Sequence, residues 1–142
     1  MHGIDTSFLV AVEVSEHPLH AAASKRLKKV LDADESLAMA PQVLAEFIHV
    51  ITDQKRFTSP VNMETALARA DYWWTAKEVV QVLPTDKSTI LFLKWMAEHN
   101  LGRKRVLDTM LGSTYRAADV TSILTLDGDD FKIYGCFNLP KI

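Results

Sequence analysis

Four acids, Asp5, Glu46, Asp108 and Asp127, fall where regular elements are expected to begin or end in this 142-residue chain. Carboxylates brought within about 5 Å repel by roughly 3 kcal/mol per pair at an effective dielectric near 20, so a cluster of four calls for a compensating cation. An all-oxygen donor set suits Mg²⁺, with Mn²⁺ as the alternative. One or two such ions can activate a water for attack on a phosphodiester and stabilise the leaving oxygen, which is hydrolysis without a protein nucleophile. The four acids are therefore candidate metal ligands and candidate catalytic groups together. Singly, each has a plainer explanation as a helix cap, a solvated helix position or a turn residue; their joint placement favours the metal site. Asp127 is the preferred fourth acid, with Asp130 in reserve because Asp127, Asp129 and Asp130 lie close together.

Those positions depend on the elements around them. Met1 to Asp5 reads as a short strand, and Thr6 or Ser7 can cap a short apolar helix through Phe8, Leu9 and Val12. Pro18 to about Asp32 has helical spacing, with Lys25, Arg26, Lys28 and Lys29 on the solvated face. Leu37 to Ala40 is a short apolar run, and Pro41 suits the first turn of a helix that carries Glu46. Turn residues fill Asp53 to Pro60, and Asn62 then caps a helix through Ala66 and Ala70. Val79 to Leu83 reads as a strand, and Thr85 caps a helix whose apolar residues nearly encircle it, predicting a central or interface helix stopped by Gly102. Asp108 opens a last helix, Thr121 to Thr125 is a β-branched strand, and Phe131 to Leu139 reads as a short edge strand and tail. Alternating strands and helices give an α/β fold, with a mostly parallel central sheet flanked by helices on both faces. In such sheets ligands bind beyond the carboxyl ends of the strands, where Asp5 and Asp127 lie.

The chain is read as one domain over residues 1–142, with no repeat and no low-complexity linker. A formal charge of −2 argues against a surface built throughout for nucleic acid, so phosphate contacts must come from local basic patches. Arg103, Lys104 and Arg105, directly before Asp108, are the leading substrate-binding candidates, and Lys55 with Arg56 are weaker ones. A single cysteine, Cys136, excludes an intrachain disulfide and a cysteine-rich zinc site. No segment reads as a signal peptide or membrane span, so a cytoplasmic protein without membrane contact is expected. His17 and His20 are spaced as helix neighbours but lack further ligands for a transition metal, and His49 reads as a partly buried helix residue. Trp73, Trp74 and Trp95 read as an interface set.

The landmarks Asp5-Thr6-Ser7-Phe8-Leu9-Val10, Ala45-Glu46-Phe47, Leu107-Asp108-Thr109-Met110-Leu111 and Ile123-Leu124-Thr125-Leu126-Asp127, followed by Asp130-Phe131, span nearly the whole chain. In that order they resemble the PIN-domain ribonucleases, most closely the VapC-type toxins of toxin-antitoxin systems. The resemblance implies a metal-dependent endoribonuclease with Asp5, Glu46, Asp108 and Asp127 as its acids, and Thr6 or Thr125 orienting them. It also implies an RNA substrate, a homodimer and a cognate antitoxin. Ser7 stands where many relatives carry Asn, which changes the hydrogen bonding around Asp5. Two alternatives stay open: a PIN-like module that binds RNA or protein without cutting, and a phosphatase using Asp5 as nucleophile. Ser7 disfavours the phosphatase, because that chemistry wants a second Asp at this place.

Overall fold

The computed structural model describes residues 1–142. Four strands, β1 (His2–Ile4), β2 (Leu37–Met39), β3 (Val79–Gln81) and β4 (Ser122–Leu124), form one sheet in the order β3-β2-β1-β4 with every pairing parallel. The chain steps outward from β1 to β2 to β3, then returns to place β4 on the other side of β1. The strand order therefore reverses between β1 and β4, and their carboxyl ends border the crevice where α/β sheets bind ligands.

The helices are α1 (Thr6–Glu13), α2 (His20–Asp32), α3 (Pro41–Ile51), α4 (Met63–Thr75), α5 (Asp86–Glu98), α6 (Val106–Ala117) and α7 (Gly128–Lys132). They pack in two groups, α1 to α4 and α5 to α7, which cover the two faces of the sheet. Local signals set several of their starts. Pro41 occupies the first turn of α3, Asn62 accepts from the Thr65 N–H at 2.8 Å, and Thr85 and Ser88 cap one another's backbone at 2.8 and 3.1 Å. No helix is long and apolar enough to cross a membrane.

Packing explains where the sequence reading needs correction. The helix from Thr85 is peripheral rather than central: Ser88 and Trp95 are its buried residues, while Ile90 and Leu93 are 68 and 60 % exposed. It is stopped by Asn100 in the left-handed conformation (φ 48°), not by Gly102, whose φ of −89° is ordinary. The strand expected over Phe131 to Leu139 does not form: Phe131 and Lys132 close α7, whose N-terminal turn Asp129 and Asp130 favour, and a single bridge between Ser122 and Asn138 is all that pairs beyond it. Trp73 and Trp95 belong to the core rather than to an interface. The Trp73 indole donates to Glu13 at 2.8 Å, and Trp95 stacks on Tyr134 with centroids 4.4 Å apart. His49 is exposed, and His17 precedes α2 rather than sharing it with His20.

Beneath the carboxyl end of β1 lies Tyr115 of α6, wholly buried, whose hydroxyl donates to the Ile4 carbonyl at 2.6 Å and lies 3.2 Å from that of Ala38. Its ring rests on Gly3, where an added Cβ would stand 2.7 Å from two ring carbons. The strand that presents Asp5 is thus seated on an aromatic ring that only glycine admits so closely. Gly3→Ala is expected to destabilise the protein by about 1–3 kcal/mol through this overpacking, read as a lower denaturation midpoint with an unchanged m-value.

Candidate active site

Asp5 follows β1 directly and takes the N-cap position of α1, yet its carboxylate makes no capping bond, and neither Thr6 nor Ser7 caps the helix. The side chain is buried, and its Oδ2 accepts hydrogen bonds from Ser7 Oγ at 2.6 Å and Thr125 Oγ1 at 2.7 Å. Each hydroxyl also accepts a backbone N–H from the loop after β4: Leu126 N donates to Ser7 at 3.0 Å and Asp127 N to Thr125 at 3.0 Å. A hydroxyl has one proton to give and two lone pairs to receive, so each spends its proton on Asp5 and one lone pair on the loop. Asp5 Oδ1 takes no hydrogen bond from the protein and is left for the crevice.

Glu46 reaches the site from α3. Thr6 Oγ1 donates to its Oε2 at 2.9 Å, and Gln42 Nε2 to its Oε1 at 3.2 Å. Gln42 also donates to the Leu107 carbonyl at 2.9 Å, which ties α3 to the first turn of α6, where Asp108 sits. That link escapes sequence reading, because nothing local couples residues 65 positions apart.

The electrostatics report how these acids converge. Asp108 is pushed up to about 6, first by burial and then by Asp5 and Asp130; Arg105 pulls it down, and Glu46 adds a further upward push. Asp127 is also raised, by burial and by the same two neighbours, Asp5 and Asp130. The fold therefore brings Asp5, Glu46, Asp108, Asp127 and Asp130 into one field. Asp130 is the more committed of the last two: its carboxylate lies 3.6 Å from the Arg105 guanidinium, which also donates to its backbone carbonyl. Asp127 has no ion pair.

The basic cluster before Asp108 divides accordingly. Arg105 is anchored to Asp130, with its Nε buried and unpartnered, while Arg103 and Lys104 stay exposed on the short 3-10 turn Arg103–Arg105. Beside the acids opens a cleft of about 540 Å³ whose lining includes Thr6, Ser7, His17, Arg56, Phe57 and Asp127. His17 Nδ1 accepts from the Leu19 N–H at 3.0 Å, so a neutral ring carries its proton on Nε2. Lys55 lies outside that lining, and Arg56 pairs with Asp53 at 3.4 Å.

In this conformation no group of three His, Cys, Asp or Glu side chains is arranged to hold a metal ion. The chemistry of the donor set fits Mg²⁺ or Mn²⁺ nevertheless: hard oxygens, a free Asp5 Oδ1, and acids whose mutual repulsion Arg105 alone relieves only in part.

A PIN-domain family model matches residues 4–135. Among characterised proteins the chain is similar to a VapC ribonuclease of Mycobacterium bovis and to Ribonuclease VapC43 of Mycobacterium tuberculosis, each 24 % identical over 110 residues that cover 78 % of this chain and 75 % of the relative. Among solved structures it is similar in fold to Mycobacterium tuberculosis VapC20, a Sarcin-Ricin loop cleaving toxin, with TM-score 0.72, 18 % identity and 96 % of each chain covered.

Because Asp108 is harder to ionise in the folded state than in the unfolded chain, its contribution to stability is greatest below its unfolded value of 3.8 and is lost as pH rises through about 6. Asp108→Asn is therefore expected to raise Tm at pH 7.5 and to lose that advantage at pH 4, read by thermal scans of both proteins. Thr125→Val, which removes one donor to Asp5 and the acceptor for the Asp127 N–H, is expected to weaken Mg²⁺ binding by about 10–100-fold in calorimetric titration while the fold persists.

Proposed function

The chain belongs to the PIN-domain family, and from that premise we propose that residues 1–142 form one PIN-like domain acting as a Mg²⁺- or Mn²⁺-dependent endoribonuclease. Asp5, Glu46, Asp108 and Asp127 are assigned as ligands and catalytic acids, with Asp130 in reserve. The observation that carries this reading is the hydrogen-bond network at the strand ends: Ser7 and Thr125 hold Asp5, Thr6 and Gln42 hold Glu46, and Gln42 also bonds the Leu107 carbonyl beside Asp108, whose raised pKa registers the neighbouring acids. Relatives bearing the name VapC ribonuclease support RNA as the substrate.

The bound ion would supply an activated water and charge neutralisation at the scissile phosphate. The chain's own residues do the rest. Ser7 and Thr125 fix the rotamer of Asp5 and direct Oδ1 outward, and Thr6 with Gln42 hold Glu46 from both sides. Arg105 moderates the repulsion between Asp108 and Asp130. Arg103 and Lys104, exposed on the turn that leads into α6, hold substrate phosphates by charge; Arg105, committed to Asp130, does so only through its remaining N–H groups.

The same reading makes the protein the toxin of a type II toxin-antitoxin pair, acting in the cytoplasm as a homodimer restrained by a cognate antitoxin. The exposed apolar side chains Ile90 and Leu93 on α5, with Leu83 before it, support a covered face there.

Cleavage of a mixed RNA pool is expected to require Mg²⁺ or Mn²⁺ and to fall in Asp5→Asn and Asp108→Asn by more than the 10–100-fold typical of losing an outer hydrogen-bond partner. Circular dichroism establishes that both variants fold. Cleavage that persists in chelator, or that survives both substitutions, would falsify the assignment. Binding of RNA without any cutting would favour a non-catalytic module.

A further inference from the structure

The acids pose a problem for any polyanionic substrate. Five carboxylates share one field there, the chain carries a net charge of −2, and Arg105, the arginine that tempers Asp108, is committed to Asp130. Attraction for a length of RNA must come from cations elsewhere, and their distribution is uneven.

Three clefts follow one another along the β4 side of the molecule. The cleft beside the acids includes Leu126 in its lining, and so does a second of about 730 Å³ on the far side of the 125–129 loop, which also takes in Lys132 and Lys141. The second shares Lys141 and Ile142 with a third, of about 560 Å³, bordered by Lys25, Arg26, Lys28 and Lys29 of α2. Each volume lies in the range of ligand clefts, and the shared residues make them neighbours, a broken groove that runs from Asp127 past the 125–129 loop to the basic face of α2.

Seven of the chain's 16 lysines and arginines border this groove, Arg56 at the end beside the acids and the other six beyond it. Lys28 is paired with Asp32 at 2.8 Å, and Arg26 donates to the Lys141 carbonyl, which holds the C-terminal segment against α2. Lys25, Lys29, Lys132 and Lys141 are exposed and have no ion-pair partner; Asp129 is the one further acid on the groove wall. Lys25 and Lys29 lie one helical turn apart on the same face. The basic face read from the sequence thus borders the last of three adjoining clefts, the first of which is lined by Asp127.

We propose that this groove is the track for single-stranded RNA flanking the scissile bond, with Lys132, Lys141, Lys25 and Lys29 neutralising successive phosphates away from the acids. The inference rests on the ribonuclease reading and extends it from the cleaved bond to the strand on one side of it. The track reads charge and not base identity, so it contributes affinity and length preference rather than sequence choice. It also places at least three phosphate contacts outside the catalytic crevice.

The test is binding in chelator, where no cleavage intervenes, measured by fluorescence anisotropy with a four-nucleotide and a twenty-nucleotide RNA for the parent protein, Lys25→Gln/Lys29→Gln/Lys141→Gln and the matched control Lys77→Gln/Lys87→Gln/Lys94→Gln. The groove variant is expected to lose about tenfold or more of the affinity advantage of the long RNA. Its slope of log affinity against log salt should be shallower by about 2, since each single-strand phosphate contact contributes about 0.7. The control, whose lysines lie outside the groove, should keep both. A groove variant with the parent's length advantage and salt slope, or a control that loses as much, overturns the track while leaving the ribonuclease reading intact. A parent that neither binds nor cuts RNA of either length overturns both.

Discussion

Asp5 Oδ2 receives two hydroxyl protons, from Ser7 on α1 and Thr125 after β4, and the same two hydroxyls receive the N–H groups of Leu126 and Asp127. This small network joins the carboxyl ends of β1 and β4 at the point where strand order reverses. A parallel sheet alone would leave that point as an open gap between two connections leaving on opposite faces. A buried carboxylate in the gap needs donors, and a returning loop needs acceptors for its N–H groups; hydroxyls satisfy both at once. The position of Asp127 relative to Asp5 therefore follows from how Asp5 is solvated by the protein. Tyr115 fixes the other side of the same strand end, through the Ile4 carbonyl and the bare face of Gly3.

The acids nevertheless repel, and the fold holds them together against that repulsion. Asp108 registers the strain most clearly, raised by burial and by Asp5, Asp130 and Glu46 in turn. Only Arg105 among the perturbing groups acts in the opposite sense, and it spends its strongest contact on Asp130. Removing a charge from such a cluster should relieve the folded state while disabling whatever the cluster binds, a conflict between stability and activity common at functional sites. Gln42 shows how the conflict is contained: by bonding Glu46 and the Leu107 carbonyl together, it sets the distance between α3 and α6 independently of the charges.

Much of this was legible in the sequence where the signal is local. Pro41, Asn62 and Thr85 mark helix starts because a first-turn proline and a capping side chain act within a few residues. Asp5 and Asp127 could be placed at strand ends because β-branched and apolar runs stop there. Features that rest on distant contacts could not be read. Gln42 and Arg105 find their partners across the fold, and nothing adjacent to either announces it. Asn100 rather than Gly102 ends α5 because tertiary packing chooses which residue takes a left-handed turn. The five-residue α7 is too short to show a helical period, so the apolar residues from Phe131 onward resembled a strand. On α5 the apolar residues nearly encircle the helix, and composition alone cannot tell core from uncovered surface. Trp73 and Trp95 misled for the same reason, since their size suits either place.

Charge placement on this chain obeys one further constraint. A cation set close to the acids pairs with them, as Arg105 does with Asp130, and is then largely unavailable to a phosphate. Cations meant for an extended polyanion must stand far enough away for solvent and salt to screen them from the carboxylates, a distance set by a Debye length of about 8 Å at physiological ionic strength. Yet they must stay connected to the acids by a continuous surface, or the strand they hold would not pass the reacting centre. The C-terminal segment makes the connection, because Lys141 borders both the cleft walled by the 125–129 loop and the cleft of the α2 face. The near-neutral total charge of the chain is then no argument against a nucleic-acid substrate: it is the sum of an acidic end of the sheet and a basic edge that cannot be allowed to merge.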